Sequence, residues 1–100
     1  MAELLILEFE GVGEAEYWAV NRELGIDMVQ KTGDIPDGLL VHSGGTADSG
    51  KFVVTEVWSS REAQGAFMQS RLGAALAAGG VTSAPTVTWV SLVAFQTFGG

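Results

Sequence analysis

Four segments of the sequence are apolar at neighbouring positions, so each predicted β-strand carries apolar side chains on both faces. They are Leu4 to Leu7 with Phe9, Leu39 to Val41, Phe52 to Trp58, and Val87 to Phe95. Because side chains alternate across a strand, both faces of a sheet built from these strands need cover. Only two helical segments are available, and in the order β-α-β-β-α-β both fall on one side of the sheet. The sequence therefore predicts a homodimer, in which a second copy of the sheet covers the other face.

Length and charge limit the possible classes of protein. The chain has 100 residues, 47% of them hydrophobic, which fits a single domain spanning residues 1–100. Its net charge of −7 comes without any cluster of Lys or Arg, so we expect neither nucleic acid nor membrane as a partner. The absence of cysteine excludes disulfides and thiolate catalysis. The apolar run near the N-terminus is too short for a signal sequence or a membrane span, so we expect a cytoplasmic protein.

The first helix is predicted over residues 14–24, with Gly25 placed as its C′ residue. Tyr17 and Asn21 lie one turn apart on the stripe that faces the sheet. Their polar atoms could point into a pocket beneath the helix; the alternative is that Tyr17 is mainly a core residue. The segment that follows, residues 26–38, is expected to be an irregular loop.

The second helix is predicted to begin at Ser59, which forms a capping box with Glu62. Helical spacing places one stripe of its residues near the sheet: Ala63, Ala66, Phe67, Ser70, Arg71 and Ala74. Phe67 is expected to be buried there. Arg71, one turn later, could bind a carboxylate or an enolate oxygen, and a surface ion pair is the alternative.

His42 is the only histidine, and no other side chain ordinarily changes charge near neutral pH. It could act as a general acid or base toward an enolisable or phenolic substrate, or it could be a structural residue hydrogen-bonded at the sheet or dimer surface. Glu56 interrupts an apolar strand, so it is either exposed at the rim or buried and paired with His42 or an arginine. The sequence does not fix the register of this hairpin, and hence whether the two residues share a face.

Several segments together resemble a known superfamily. They are Leu39-Leu-Val-His-Ser43 after Pro-Asp-Gly, and Val57-Trp-Ser-Ser-Arg-Glu-Ala63 leading into a helix that ends Phe67-Met-Gln-Ser-Arg-Leu72. With the order of elements, they resemble the dimeric α/β-barrel superfamily, near its antibiotic-biosynthesis monooxygenases and polyketide cyclases. The resemblance implies an α+β, ferredoxin-like β-α-β-β-α-β monomer with an antiparallel four-stranded sheet, forming a dimeric α/β barrel. It also implies a small-molecule pocket between helices and sheet.

Aromatic residues suit such a pocket. Trp18, Trp58 and Trp89 could stack on a planar apolar or aromatic ligand, and packing in the core or the dimer explains them equally well. No group of His, Asp and Glu has the spacing of zinc or iron ligands, so we expect no metal, and we expect no cofactor.

Two functions remain open. In the first, the chain is a cofactor-independent monooxygenase or cyclase of secondary metabolism, in which His42 deprotonates an aromatic or polyketide substrate. The candidate substrate-binding residues are Tyr17, Asn21, Glu56, Trp58, Phe67 and Arg71. In the second, the chain is a non-catalytic small-molecule-binding or stress-related homodimer.

Overall fold

The computed structural model describes residues 2–99. In chain order its elements are β1 (Glu3–Phe9), α1 (Glu14–Leu24), β2 (Ile26–Asp27), β3 (Thr32–Gly33), β4 (Leu39–Thr46), β5 (Phe52–Trp58), α2 (Arg61–Phe67), a π-helical turn (Met68–Leu72), α3 (Gly73–Ala78) and β6 (Thr86–Ser91). Met1 and Gly100, the ends of the predicted domain, lie outside the described residues. The assignment of the chain to one domain stays a prediction.

The main sheet has four antiparallel strands in the order β4-β5-β1-β6. Strand β1 is central, with Leu5 opposite both Glu56 of β5 and Trp89 of β6. The connection from β1 to β4 and the connection from β5 to β6 each contain a helical region and pass over one strand. This α+β topology is the ferredoxin-like arrangement, so the predicted fold class of the monomer is confirmed.

Both helical regions pack on one face of the sheet, which we call the covered face. Strand and helix residues form one buried apolar cluster there, including Leu5, Leu7, Phe9, Phe52, Val54 and Trp58 from the strands and Val20, Leu24, Phe67, Leu72 and Ala75 from the helical regions. Trp58 is 0% exposed and Leu5 is 1% exposed. Each fully buried side chain of the size of Leu contributes about 1.5–3 kcal/mol, so this cluster is the main stabilising feature of the monomer.

The opposite face, which we call the open face, carries the alternate residues of the same strands. Its apolar members are Leu4, Ile6, Val41, Val53, Val57 and Val90. None of these belongs to the cluster that the helical regions build within residues 2–99. Val57 is buried at 7% exposure, whereas Val90 is 40% exposed and Leu4, Ile6, Val41 and Val53 are half-buried. The apolar pattern on both faces of the strands therefore corresponds to one face closed by the chain itself and one that the chain does not close.

The last strand is shorter than predicted, because it ends at Ser91 instead of Phe95. Ser91 lies opposite Glu3, the first residue of β1, and one further hydrogen bond joins the Leu92 N–H to the Ala2 carbonyl. Strand β1 begins at Glu3, so the ladder that it shares with β6 ends at this pair. The length of β6 is thus set by where β1 begins.

The segment of residues 26–38 is more regular than predicted. It contains a two-stranded antiparallel ladder in which Ile26 lies opposite Gly33 and Asp27 lies opposite Thr32. The Asp27 carboxylate accepts hydrogen bonds from the backbone N–H groups of Val29 and Gln30, which closes the turn between the strands. The Asp27 carboxylate thus stabilises the turn that joins the two strands of this two-pair ladder.

Helix α2 begins one residue later than predicted. Its N-cap is Ser60, whose hydroxyl accepts a hydrogen bond from the Ala63 N–H at 3.1 Å. Ser59 instead follows the last residue of β5, and its backbone N–H donates to the Gly38 carbonyl at 2.8 Å. The predicted capping box with Glu62 is therefore wrong, although a serine does start the helix.

The π-helical turn, Met68–Leu72, changes which residues face the sheet. It adds one residue to the helical repeat, which rotates the following side chains by about 100°. Leu72 is consequently buried where spacing predicted Arg71. In the same way Ala75 is buried and Ala74 is exposed. The other exposed members of the predicted stripe are Ala66 and Ser70.

Candidate functional site

Four polar side chains on the covered face form a connected series, which we call the polar chain: Tyr17, His42, Glu56 and Trp58. The Tyr17 hydroxyl lies 2.5 Å from His42 Nε2, and His42 Nδ1 lies 2.7 Å from Glu56 Oε2. The Trp58 Nε1–H donates to Glu56 Oε1 at 3.0 Å. The side chains of His42 and Glu56 are 12% and 8% exposed, so these contacts are largely shielded from solvent.

The position of His42 depends on an irregularity in β4. The register places Leu39 opposite Trp58 but Val41 opposite Val57, so one extra residue, Leu40, is inserted. With this bulge His42 lies opposite Glu56, on the covered face. Without it, alternation would turn His42 to the open face. The bulge therefore brings the two residues into contact.

Tyr17 reaches the sheet from α1 because the strand beneath it carries a glycine. Gly44 follows His42 by two residues on the covered face, and a Cβ atom there would lie 3.0 Å from Tyr17 Cε1. Any larger residue at this position would compete with the tyrosine ring. Gly44 thus leaves the space in which the Tyr17 hydroxyl meets the His42 imidazole.

The partners of each atom indicate where the protons lie. Trp58 Nε1 is only a donor, so Glu56 accepts a hydrogen bond from it. A carboxylate also accepts from His42 Nδ1–H, which leaves His42 Nε2 as the acceptor for the Tyr17 hydroxyl. Burial raises the pKa of that hydroxyl, the Glu56 charge adds to the increase, and the Asn21 side chain acts in the opposite direction. Tyr17 is therefore held in its neutral form.

A cavity of about 70 Å³ lies between the helical regions and the covered face. Its polar lining residues are Tyr17, Asn21, His42 and Glu56, and its other lining residues are apolar, with Phe67, Met28 and Met68 among them. Pockets for drug-sized ligands typically measure about 300–1,000 Å³. At this volume the cavity accommodates small groups, and a ligand with several rings requires the lining side chains to move.

The structure brings together most of the predicted site residues and separates two of them. The lining includes His42, Tyr17, Asn21, Glu56 and Phe67. Trp58 lies outside the lining, where it donates a hydrogen bond to Glu56 and packs on the Phe67 ring.

Arg71 also lies outside the cavity lining. Its guanidinium donates to the carbonyls of Leu24 at 2.9 Å and Asp34 at 2.6 Å, and it lies over the Phe67 ring at 5.2 Å. It forms no ion pair within residues 2–99. Both interpretations of Arg71 from the sequence, substrate binding and a surface ion pair, therefore differ from its observed contacts, which tie the end of α1 to the loop before β4.

The sequence did not point to the two methionines or to Leu72 in the cavity wall. Met68 and Leu72 belong to the π-helical turn, whose extra residue has no mark in the sequence. Met28 lies between β2 and β3, in a segment predicted to be irregular. Methionine fills irregular gaps and adapts its shape easily, so these residues form the adjustable part of the wall.

Within residues 2–99 no group of three or more His, Cys, Asp or Glu side chains is arranged to hold a metal ion. Among the described residues, no helix combines the length and the apolar character that crossing a membrane requires.

Two solved structures share this fold over nearly their whole length. One, from Chloroflexus aurantiacus J-10-fl, is provisionally named an antibiotic biosynthesis monooxygenase; it has a TM-score of 0.65 and 20% identity, with 99% of this chain and 100% of that chain covered. The other is a protein of unknown function from Nitrosomonas europaea, with a TM-score of 0.61, 20% identity, and 99% and 94% covered. No protein-family profile and no curated protein matches the sequence. The resemblance to antibiotic-biosynthesis monooxygenase-like proteins is thus confirmed at the level of the ferredoxin-like fold.

Proposed function

We propose that the chain is a small-molecule enzyme, in which Tyr17, His42 and Glu56 take a proton from a substrate held in the cavity. One observation carries this proposal: a buried carboxylate, an imidazole and a hydroxyl are hydrogen-bonded in series and line a cavity whose other lining residues, apart from Asn21, are apolar. Buried polar series cost free energy that apolar side chains would not, so their presence in a core favours a chemical role.

The proton moves in two linked steps. The substrate proton passes to the Tyr17 oxygen as the Tyr17 hydroxyl proton passes to His42 Nε2. The products are a substrate anion, a neutral tyrosine and an imidazolium whose charge is balanced by Glu56. Tyr17 is therefore the group that contacts the substrate, and His42 is the base behind it. This arrangement refines the prediction that His42 acts directly on the substrate.

The anion can then react in two ways, both without a cofactor. In an oxygenase it combines with O₂ and recovers a proton to give a hydroperoxide, which loses water to leave a carbonyl group. In a cyclase it attacks a second carbonyl of the same molecule, and the resulting alkoxide recovers the proton from the relay. In either case the chain supplies an enclosed site, a base and stabilisation of negative charge. The oxygenase is favoured by the name of one structural neighbour.

A homodimer is the second part of the proposal. Contiguous apolar surface of more than a few hundred Å² is unusual on a monomer, and the open face presents Leu4, Ile6, Val53 and Val90 on adjacent strands, none of them fully buried. A second copy of the same face is self-complementary about a two-fold axis. Each protomer would then keep its own cavity on the opposite side of its sheet.

The experiment measures proton removal directly. Wild type and His42→Ala are incubated in D₂O with 2-tetralone or anthrone, which carry acidic C–H groups beside a carbonyl, and deuterium uptake is followed by NMR while an electrode records O₂. We expect His42→Ala to lower the exchange rate by about 10²–10⁴-fold. Gln64→Leu is the matched control, because Gln64 is buried but lies outside the cavity lining.

Unchanged exchange in a folded His42→Ala protein would contradict the relay. Oxygen uptake that accompanies exchange would distinguish the oxygenase from the cyclase. Binding of either ketone by wild type without any exchange would instead favour the alternative function, a non-catalytic ligand-binding homodimer.

A further inference from the structure

The Asn21 side chain is only partly explained by the relay. It is 5% exposed and lines the cavity, yet its Nδ2 atom has no hydrogen-bond partner within residues 2–99. Most buried donors in folded proteins are paired, because a donor removed from water without a partner costs free energy. An unpaired amide that lines a cavity is therefore available to a ligand.

The other polar groups of the cavity are already occupied. Glu56 accepts one hydrogen bond from Trp58 and pairs with His42, and His42 pairs with Tyr17. Asn21 follows Tyr17 by four residues on α1, so both side chains lie on the same helix face. The Asn21 side chain also acts on its neighbour, since it lowers the pKa of the Tyr17 hydroxyl. The donor and the relay thus share one end of the cavity.

We infer that Asn21 is the specificity-determining donor of this cavity, and that its amide N–H holds the carbonyl oxygen of a neutral ketone substrate. This inference rests on the proposed function, because the carbon deprotonated by Tyr17 is the one beside that carbonyl. As the proton leaves, negative charge develops on the oxygen, and Asn21 stabilises it there. The two side chains then act on the two ends of one C–C=O unit.

The charges around the cavity select against an anionic substrate. Among residues 2–99 its lining contains the Glu56 carboxylate and no Lys or Arg. Arg71, the nearest candidate from the sequence for binding a carboxylate, is held by the carbonyls of Leu24 and Asp34. A neutral ketone avoids repulsion by Glu56 and acquires its charge only when the relay becomes positive.

The test compares 2-tetralone with tetralin, a hydrocarbon of the same ring skeleton without the oxygen, using calorimetric titration of the full chain. Wild type should bind 2-tetralone about tenfold or more tightly than tetralin. Asn21→Leu should lose this preference while still binding tetralin, and Asn21→Asp, which keeps the side-chain shape, should lose it too. Gln64→Leu should retain it.

Two further measurements separate ligand binding from folding. Without ligand, Asn21→Leu should raise the midpoint of urea unfolding, because it removes an unpaired buried donor. Its rate of deuterium exchange into 2-tetralone should fall by about 10²–10³-fold, the usual effect of losing one donor to a developing oxyanion. A variant that merely damages the fold would lower the midpoint as well as the rate.

The outcomes distinguish this inference from the relay. Equal binding of 2-tetralone and tetralin by wild type, no binding of 2-tetralone, or a preference that survives in both Asn21 variants overturns the role of Asn21. Deuterium exchange that depends on His42 but not on Asn21 supports the relay and contradicts the role of Asn21. Binding of 2-tetralone that depends on Asn21, without deuterium exchange, supports the role of Asn21 and contradicts the relay.

Discussion

The covered and open faces of the sheet are made from alternate residues of the same four strands, and they differ in what closes them. On the covered face the helical regions bury Leu5 and Trp58 almost completely. On the open face Val90 remains 40% exposed, and Ile6, in the middle strand, lies between Thr55 and Thr88 without joining the core cluster. The difference shows how an apolar pattern on both faces exceeds what two helical regions can cover.

The covered and open faces also differ in where their polar groups lie. The better-buried face contains the polar chain and the unpaired Asn21 amide, although polar groups are most costly there. Within the single chain, the polar residues beside Ile6 on the open face are Thr55, which is half-buried, and Thr88, which is exposed. Burying the polar chain on the covered face costs free energy, unlike placing polar groups at a solvent-exposed surface. We assign the chemistry to the covered face because this cost favours a functional role for the buried groups.

The largest effect is expected from a charge placed at the centre of the open face. Ile6→Lys should raise the dissociation constant of the homodimer by about 10³-fold or more, because the two-fold axis repeats the change and each unpaired buried charge costs several kcal/mol. Sedimentation equilibrium at micromolar concentration measures this. The unfolding midpoint of wild type should also rise with protein concentration.

Val29→Lys is the matched control, since Val29 is 71% exposed and lies outside the four-stranded sheet. It should leave assembly unchanged. A wild-type protein that sediments as a stable 10.5 kDa species would contradict the dimer and make the open face an exposed apolar surface of a monomer.

The covered face is expected to respond through packing instead of assembly. Phe67→Ala should lower the free energy of unfolding by about 3–5 kcal/mol, because it removes buried surface and leaves a cavity against Trp58. Phe98→Ala makes the same chemical change at a residue that is 91% exposed, and should cost almost nothing. Urea unfolding at one fixed protein concentration compares them. A loss below about 1 kcal/mol for Phe67→Ala would mean that the second helical region packs by another face.

Local rules were sufficient to predict much of the fold. Helix α1 ends where Gly25 adopts a φ of 73°, a conformation that glycine enters readily, and the sequence placed the helix end there. The order of strands and helices followed from periodicity. By contrast, the end of β6 depends on the residue at which β1 begins, which is a property of the pairing and not of the segment itself.

The candidate site was predictable as a set of residues but not as an arrangement. His42 and Glu56 stood out as polar residues in apolar strands, yet their contact depends on the bulge at Leu40, which no residue type marks. Arg71 was placed toward the sheet by a regular helical repeat, and the π-helical turn moves Leu72 there instead. One residue inserted in a strand and one in a helix decide the composition of the cavity.

The smallest effect concerns the pH at which Tyr17 ionises, and it tests how closed the covered face is. Tyr17 is the only tyrosine, so the near-ultraviolet absorbance of tyrosinate reports on it alone. Burial first, and then the Glu56 charge, raise its pKa above the ordinary 10.0, so the titration midpoint of the folded chain should exceed that of the chain unfolded in urea. Glu56→Gln should lower the folded midpoint and Asn21→Leu should raise it, since Asn21 opposes the shift.

The same shift has a defined sign for stability. Above pH 10.0 the unfolded chain loses the Tyr17 proton before the folded chain does, so the folded state binds more protons and its stability falls as the pH rises through the folded pKa. Below pH 10.0 this contribution of Tyr17 to stability is fully present. Tyr17→Phe should remove the part of the alkaline fall in stability that comes from Tyr17. A folded midpoint at or below that of the unfolded chain would mean that solvent reaches the Tyr17 hydroxyl. The polar chain would then lie at a wet surface, and the contrast between the two faces would rest on the apolar core alone.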